Sequence, residues 1–97
     1  MQIEPEIIAI IRQYFATQPV LRAYLFGSFA RGEADEQNDI DVLVELDYSQ
    51  RVGMEFIQMQ FDLQRLLARK VDLVSARGLS KYIQPIIDQE KRLIYAR

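Results

Sequence analysis

The sequence predicts an α/β (α+β) fold, and three observations predict it. Helical and strand periodicities alternate along the chain, from about residue 5 to residue 96. Ninety-seven residues suffice for one core but leave no room for a separate substrate-binding domain, so a single domain over 1–97 is expected. Hydrophobic residues at 49% against 27% charged fit a soluble globular chain and not a disordered one.

Taken in order, the first element is a helix over 5–16. Ile3, Ile7, Ile10, Ile11 and Tyr14 share one helical face, and Phe15 joins it through Ile11. Pro5 suits a first helical position, Glu4 and Glu6 suit the positive end of the dipole, and Pro19 helps end the helix. Residues 20–26 alternate as a strand, with Leu21, Ala23 and Leu25 on one side and Arg22, Tyr24 and Phe26 on the other. Gly27 then permits a sharp turn, Ser28 is an N-cap for a short helix over roughly 29–34, and Gly32 fits its end. Residues 33–38 form a polar loop.

The second strand spans 39–46. Ile40, Val42, Val44 and Leu46 face one side, and Asp39, Asp41, Leu43 and Glu45 the other. A polar connection over 47–53 leads to the longest helix, 53–68. Its stripe is Phe56, Met59, Leu63, Leu66 and Leu67, widened by Ile57 and Phe61 and read as core, with Met54 and Met59 as gap-fillers. A third strand over 70–75 carries Asp72 among apolar neighbours. Pro85 predicts a kink in 79–91 or a turn followed by a helix starting near it, and 92–96 reads as an edge strand.

Composition excludes several chemistries. The net charge, 12 − 14 = −2, argues against direct nucleic-acid binding through a broad basic surface. Without cysteine there is no disulfide, thiolate zinc site or thiol nucleophile. Without histidine, acid–base work falls to Asp, Glu, Lys or Tyr, and a metal would be held by oxygens, which favours Mg²⁺ or Mn²⁺. No apolar run is long enough to span a bilayer, and the N-terminus lacks the pattern of a signal peptide, so a cytoplasmic protein with no membrane partner is expected.

The candidate site lies in Gly27–Asp41, with Asp72 joining from a later strand. Asp39 and Asp41, two like charges on one strand face, resist burial unless they are solvated or bind a cation. Mg²⁺ held by carboxylates and substrate phosphates is the second case, and two such ions can clamp a phosphoryl displacement. Gly27 lets a phosphate approach the backbone, the N–H groups near Ser28 and Phe29 favour anions, and the Ser28 hydroxyl adds a hydrogen bond. Arg31, one helical turn on, can meet a terminal phosphate. Asp35, Glu36 and Asp47 read as solvated loop charges.

These residues resemble a known family. Gly27-Ser28, ten residues, then Asp39-Ile40-Asp41 is similar to the signature of the DNA polymerase β-like nucleotidyltransferase superfamily. The strings Gly-Ser-Phe-Ala-Arg-Gly and Asn-Asp-Ile-Asp-Val-Leu-Val resemble its minimal nucleotidyltransferase branch. So do Lys70-Val71-Asp72-Leu73-Val74 and the ending Ile86-Ile87, Glu90 and Leu93-Ile94-Tyr95. The branch commonly has serine where this chain has Asn38, which can make similar local hydrogen bonds.

The resemblance implies a small mixed twisted sheet with flanking helices. It also implies transfer of a nucleoside monophosphate from a nucleoside triphosphate to a hydroxyl. By motif position, Gly27 and Ser28 hold phosphate, Asp39, Asp41 and Asp72 hold the metals, and Asp72 helps deprotonate the acceptor. It further implies an antitoxin that moves AMP from ATP onto a tyrosine of a HEPN-domain ribonuclease toxin, in a hetero-oligomeric complex. Neutralisation by binding alone, and nucleotidyl transfer to a small molecule, are the alternatives.

Overall fold

The computed structural model describes residues 5–28, 30–32 and 39–97. Expectations that fall on Ile3, Glu4, Phe29, Asp35, Glu36 and Asn38, and on the loop over 33–38, lie outside the described residues. The described elements are helix α1 (Pro5–Phe15), strands β1 (Val20–Phe26) and β2 (Ile40–Leu46), helix α2 (Gly53–Leu67), strand β3 (Val71–Ser75), a 3-10 turn (Ala76–Gly78), helix α3 (Gln84–Glu90) and strand β4 (Arg92–Ala96). Of the two readings that Pro85 left open, the turn followed by a helix is correct, with Pro85 in the first turn of α3.

The strands form one mixed sheet in the order β3-β2-β1-β4. β2 runs antiparallel to β1 and parallel to β3, and β4 runs antiparallel to β1. The antiparallel pairing brings the end of β1 beside the start of β2. The parallel pairing sets the start of β3 beside it too. Three chain segments distant in sequence therefore share one corner of the sheet.

The core fills the space between one sheet face and helices α1 and α2. Ile7, Ile11 and Phe15 of α1 and Met59 and Leu63 of α2 pack against Ala23, Leu25, Ile40, Val42, Val44, Val71, Leu73 and Ile94. Each of these buried side chains other than Ala23 stabilises the fold by about 1.5–3 kcal/mol relative to exposure. The Tyr14 hydroxyl donates to Asp62 at 2.5 Å, which ties α1 to α2. On the opposite face Leu43 is buried as well.

Four expectations need correction. Leu21 is exposed while Val20 is buried, because a bulge between Val20 and Arg22 shifts the alternation by one residue. Met54, Ile57, Phe61 and Leu66 are exposed, since α2 seats on the sheet through Met59 and Leu63, flanked by Phe56 and Leu67. One helix presents only one stripe to one sheet. Met54 therefore fills no gap. The described part of the helix expected over 29–34 is a turn, with Gly27 and Gly32 both at positive φ and one helix-like bond from Arg31 N to Gly27 O. Asp47 is a structural hub: it accepts from the Ser49 backbone and hydroxyl, from Gln50 and from Arg97. These bonds hold its carboxyl well below the usual carboxylate range.

Candidate active site

The site forms where β1 ends and β2 and β3 begin. β1 delivers Gly27 at φ +71, a conformation that favours glycine. A second constraint acts at the same position: a Cβ on Gly27 would overlap the Asp41 carboxylate of β2. Gly27 is thus required both by the turn and by the close approach of an acid.

Asp41 is the register partner of Asp72 across the parallel β2–β3 pair. The two alternations are in step, so both side chains leave the core face while Ile40, Val42, Val71 and Leu73 enter it. Asp39 stands just before β2. Its carboxylate lies 3.7 Å from Lys70 Nζ, and the Ile40 N–H donates to the Lys70 carbonyl, which pins the strand starts together. That ion pair is exposed and contributes little to stability.

Burial pushes the Asp41 carboxyl up to about 6, and the negative charges of Asp72 and Asp39 add to the effect. Arg31 opposes the rise, and Glu90 adds to it. Glu45, farther along the same face of β2, behaves in the opposite way. It accepts from Arg22 at 2.7 Å and from the Tyr24 hydroxyl at 2.6 Å, and these bonds lower its pKa. The strand face therefore carries one neutralised acid and one acid with excess negative charge around it. The second, a perturbed acid beside two others, makes this corner a candidate functional site.

Among the described residues, no group of three or more acidic side chains is arranged to hold a metal ion by itself. The donor set is nonetheless all oxygen and short of positive charge, which fits Mg²⁺ completed by substrate phosphates. Ser28 lies in the turn beside Gly27, half-buried. Arg31 reaches the same corner, and its Nη1 donates at 3.0 Å to Glu90, the last residue of α3. The Gly27 N–H donates to the other oxygen of that carboxylate, also at 3.0 Å. In the sequence Glu90 stands only as part of the family-like ending, with no role assigned to it: it lies 63 residues from Gly27, and no spacing rule connects them. An open cleft of about 340 Å³ on this face is lined by Leu43, Tyr48, Arg77 and Lys91 among others, and not by the three aspartates.

The chain matches the family model described as a nucleotidyltransferase domain over residues 5–95. A Methanocaldococcus jannaschii protein, provisionally named a protein adenylyltransferase, is 37% identical over 73 residues, covering 73% of this chain and 71% of its own. A solved structure, provisionally identified as a minimal nucleotidyltransferase, is 30% identical with a TM-score of 0.76, covering 88% of this chain and 86% of its own. A third match is to a chain of a structure of a tri-AMPylated Shewanella oneidensis HEPN toxin in complex with an MNT antitoxin. It has a TM-score of 0.70 at 19% identity, covering 95% of this chain and 71% of that one, and it shows the likeness of fold alone.

Proposed function

This chain belongs to the nucleotidyltransferase domain family, and from that premise we propose that it transfers AMP from ATP to a tyrosine hydroxyl of a HEPN-domain toxin and so acts as its antitoxin. The observation that carries the reading is Asp41, half-buried and crowded by Asp72 and Asp39, beside a glycine turn whose N–H donates to a carboxylate. The relative named for protein adenylyl transfer supports the reaction class. The AMPylated HEPN toxin held by an MNT antitoxin, a protein of similar fold, supports the acceptor.

In this reading each residue has a distinct task. The Gly27 N–H and the Ser28 hydroxyl bind phosphate oxygens of ATP, and Arg31 meets the terminal phosphates. Asp39, Asp41 and Asp72 would hold Mg²⁺ or Mn²⁺, two ions, which would supply positive charge to the phosphates. The tyrosine oxygen attacks the α-phosphorus. The bond from that phosphorus to the bridging oxygen breaks, and pyrophosphate leaves. Asp72, exposed and on the register position beside Asp41, takes the hydroxyl proton. In a chain without histidine, a carboxylate is one of the bases available.

The test is intact-mass measurement of the HEPN partner after incubation with this protein, ATP and Mg²⁺. One or more AMP units on a tyrosine are expected. An unmodified partner across a series of divalent metals overturns the reading.

A further inference from the structure

Glu90 occupies the donors that the nucleotide needs. Its Oε1 accepts from the Gly27 N–H and its Oε2 from Arg31 Nη1, each at 3.0 Å. A carboxylate presents two oxygens to these donors much as a phosphate does, and both types of bond are charge-assisted. We propose that Glu90 is a resident occupant of the phosphate site, a latch that the incoming triphosphate displaces, so that it sets the affinity for nucleotide. The inference rests on the reading of Gly27, Ser28 and Arg31 as the phosphate-binding group.

Three features favour a displaceable contact over a permanent strut. The Glu90–Arg31 pair is partly open to solvent, with the Glu90 side chain 21% and the Arg31 side chain 45% exposed, so water and anions can compete for it. Glu90 sits in the short joint between α3, a helix of seven residues that buries only Ile87, and β4, so its side chain can leave the turn while the β4–β1 pairing stays in place. And the latch sets a further acid beside Asp41, Asp39 and Asp72, where its negative charge is unfavourable. A triphosphate arriving with its cations exchanges that repulsion for attraction.

A latch lowers apparent affinity by the fraction of molecules that it closes. Removing it from a site closed most of the time therefore tightens binding by roughly three- to tenfold. Calorimetric titration of the full chain with Mg-ATP, and separately with Mg-pyrophosphate, measures this for the wild type, Glu90→Ala and Glu90→Gln. Tighter binding of both probes by Glu90→Ala is expected, with a smaller gain for Glu90→Gln, which keeps the shape but not the charge. The gain with pyrophosphate locates the effect at the phosphates. If the wild type binds and both variants bind equally or more weakly, Glu90 is a strut for the Gly27 turn and the latch is wrong. If none of the three binds either probe, the nucleotide site itself is misassigned and the latch falls with it.

Discussion

Asp41 and Glu45 stand on the same face of β2 and meet opposite electrostatic fates. Arg22 and Tyr24 neutralise Glu45, whereas Asp41 is half-buried among Asp72, Asp39 and Glu90. The sign of the stability effect follows. In the folded chain the Asp41 proton is held up to about pH 6, against 3.8 for the ordinary group. Folding is therefore favoured below the unfolded value, and this contribution is lost as pH rises through about 6. The gross effect of about 3 kcal/mol shrinks to roughly 1 kcal/mol after solvent screening of a half-exposed group. Metal-free protein should melt at a higher temperature at pH 5 than at pH 8, and Asp41→Asn should melt higher at pH 8 and flatten the difference. Differential scanning calorimetry in chelator checks this; a wild-type profile that is flat, or that rises with pH, removes Asp41 as a strained acid.

The turn after β1 shows how one element couples fold to chemistry. Gly27→Ala meets two penalties, a positive φ that costs about 1 kcal/mol without glycine and an overlap with the Asp41 carboxylate. The overlap can be relieved only by moving the acid. AMP transfer should therefore fall by two orders of magnitude or so, as expected for misplaced reacting groups, while the melting temperature falls by only a few degrees. Gly53→Ala, at the open start of α2, is the comparison and should be neutral or slightly stabilising. Equal effects of the two substitutions on transfer would show that the Gly27 turn does not position Asp41. Elements of this kind are legible in sequence where a local period or a turn residue dictates them. The strand alternation at Ile40–Leu46, the helix stripe through Met59 and Leu63, and Pro85 at the start of α3 are such cases. The bulge at Val20–Arg22 is not, because both registers present apolar residues. Nor is the exposure of Ile57 and Phe61, which depends on how many faces the rest of the chain covers. The pairing of Glu90 with Gly27 is a product of tertiary geometry, as is the hub at Asp47.

At the scale of the whole molecule, stability and chemistry occupy different regions. The core lies between one sheet face and α1 and α2, while the acids crowd one corner outside it. Exposed apolar side chains include Met54, Ile57 and Phe61 on α2, and Tyr82, Ile83 and Ile86 in and just before α3. A double substitution, Asp39→Asn with Asp41→Asn, changes no core contact and removes two like charges from a crowded corner. The variant should fold, and should melt no lower than the wild type at pH 8. Since contact with a protein partner draws on apolar surface more than on these two acids, it should still co-elute with the proposed HEPN partner in size-exclusion chromatography. Phosphate charge would then have no pair of carboxylate-held cations to meet, so AMP transfer by intact mass should be absent and the toxin should remain active in cells. The decisive outcome is neutralisation at wild-type protein levels. If the double variant protects cells while adding no AMP, contact alone is the antitoxin activity, and nucleotidyl transfer is a property of this corner that protection does not use.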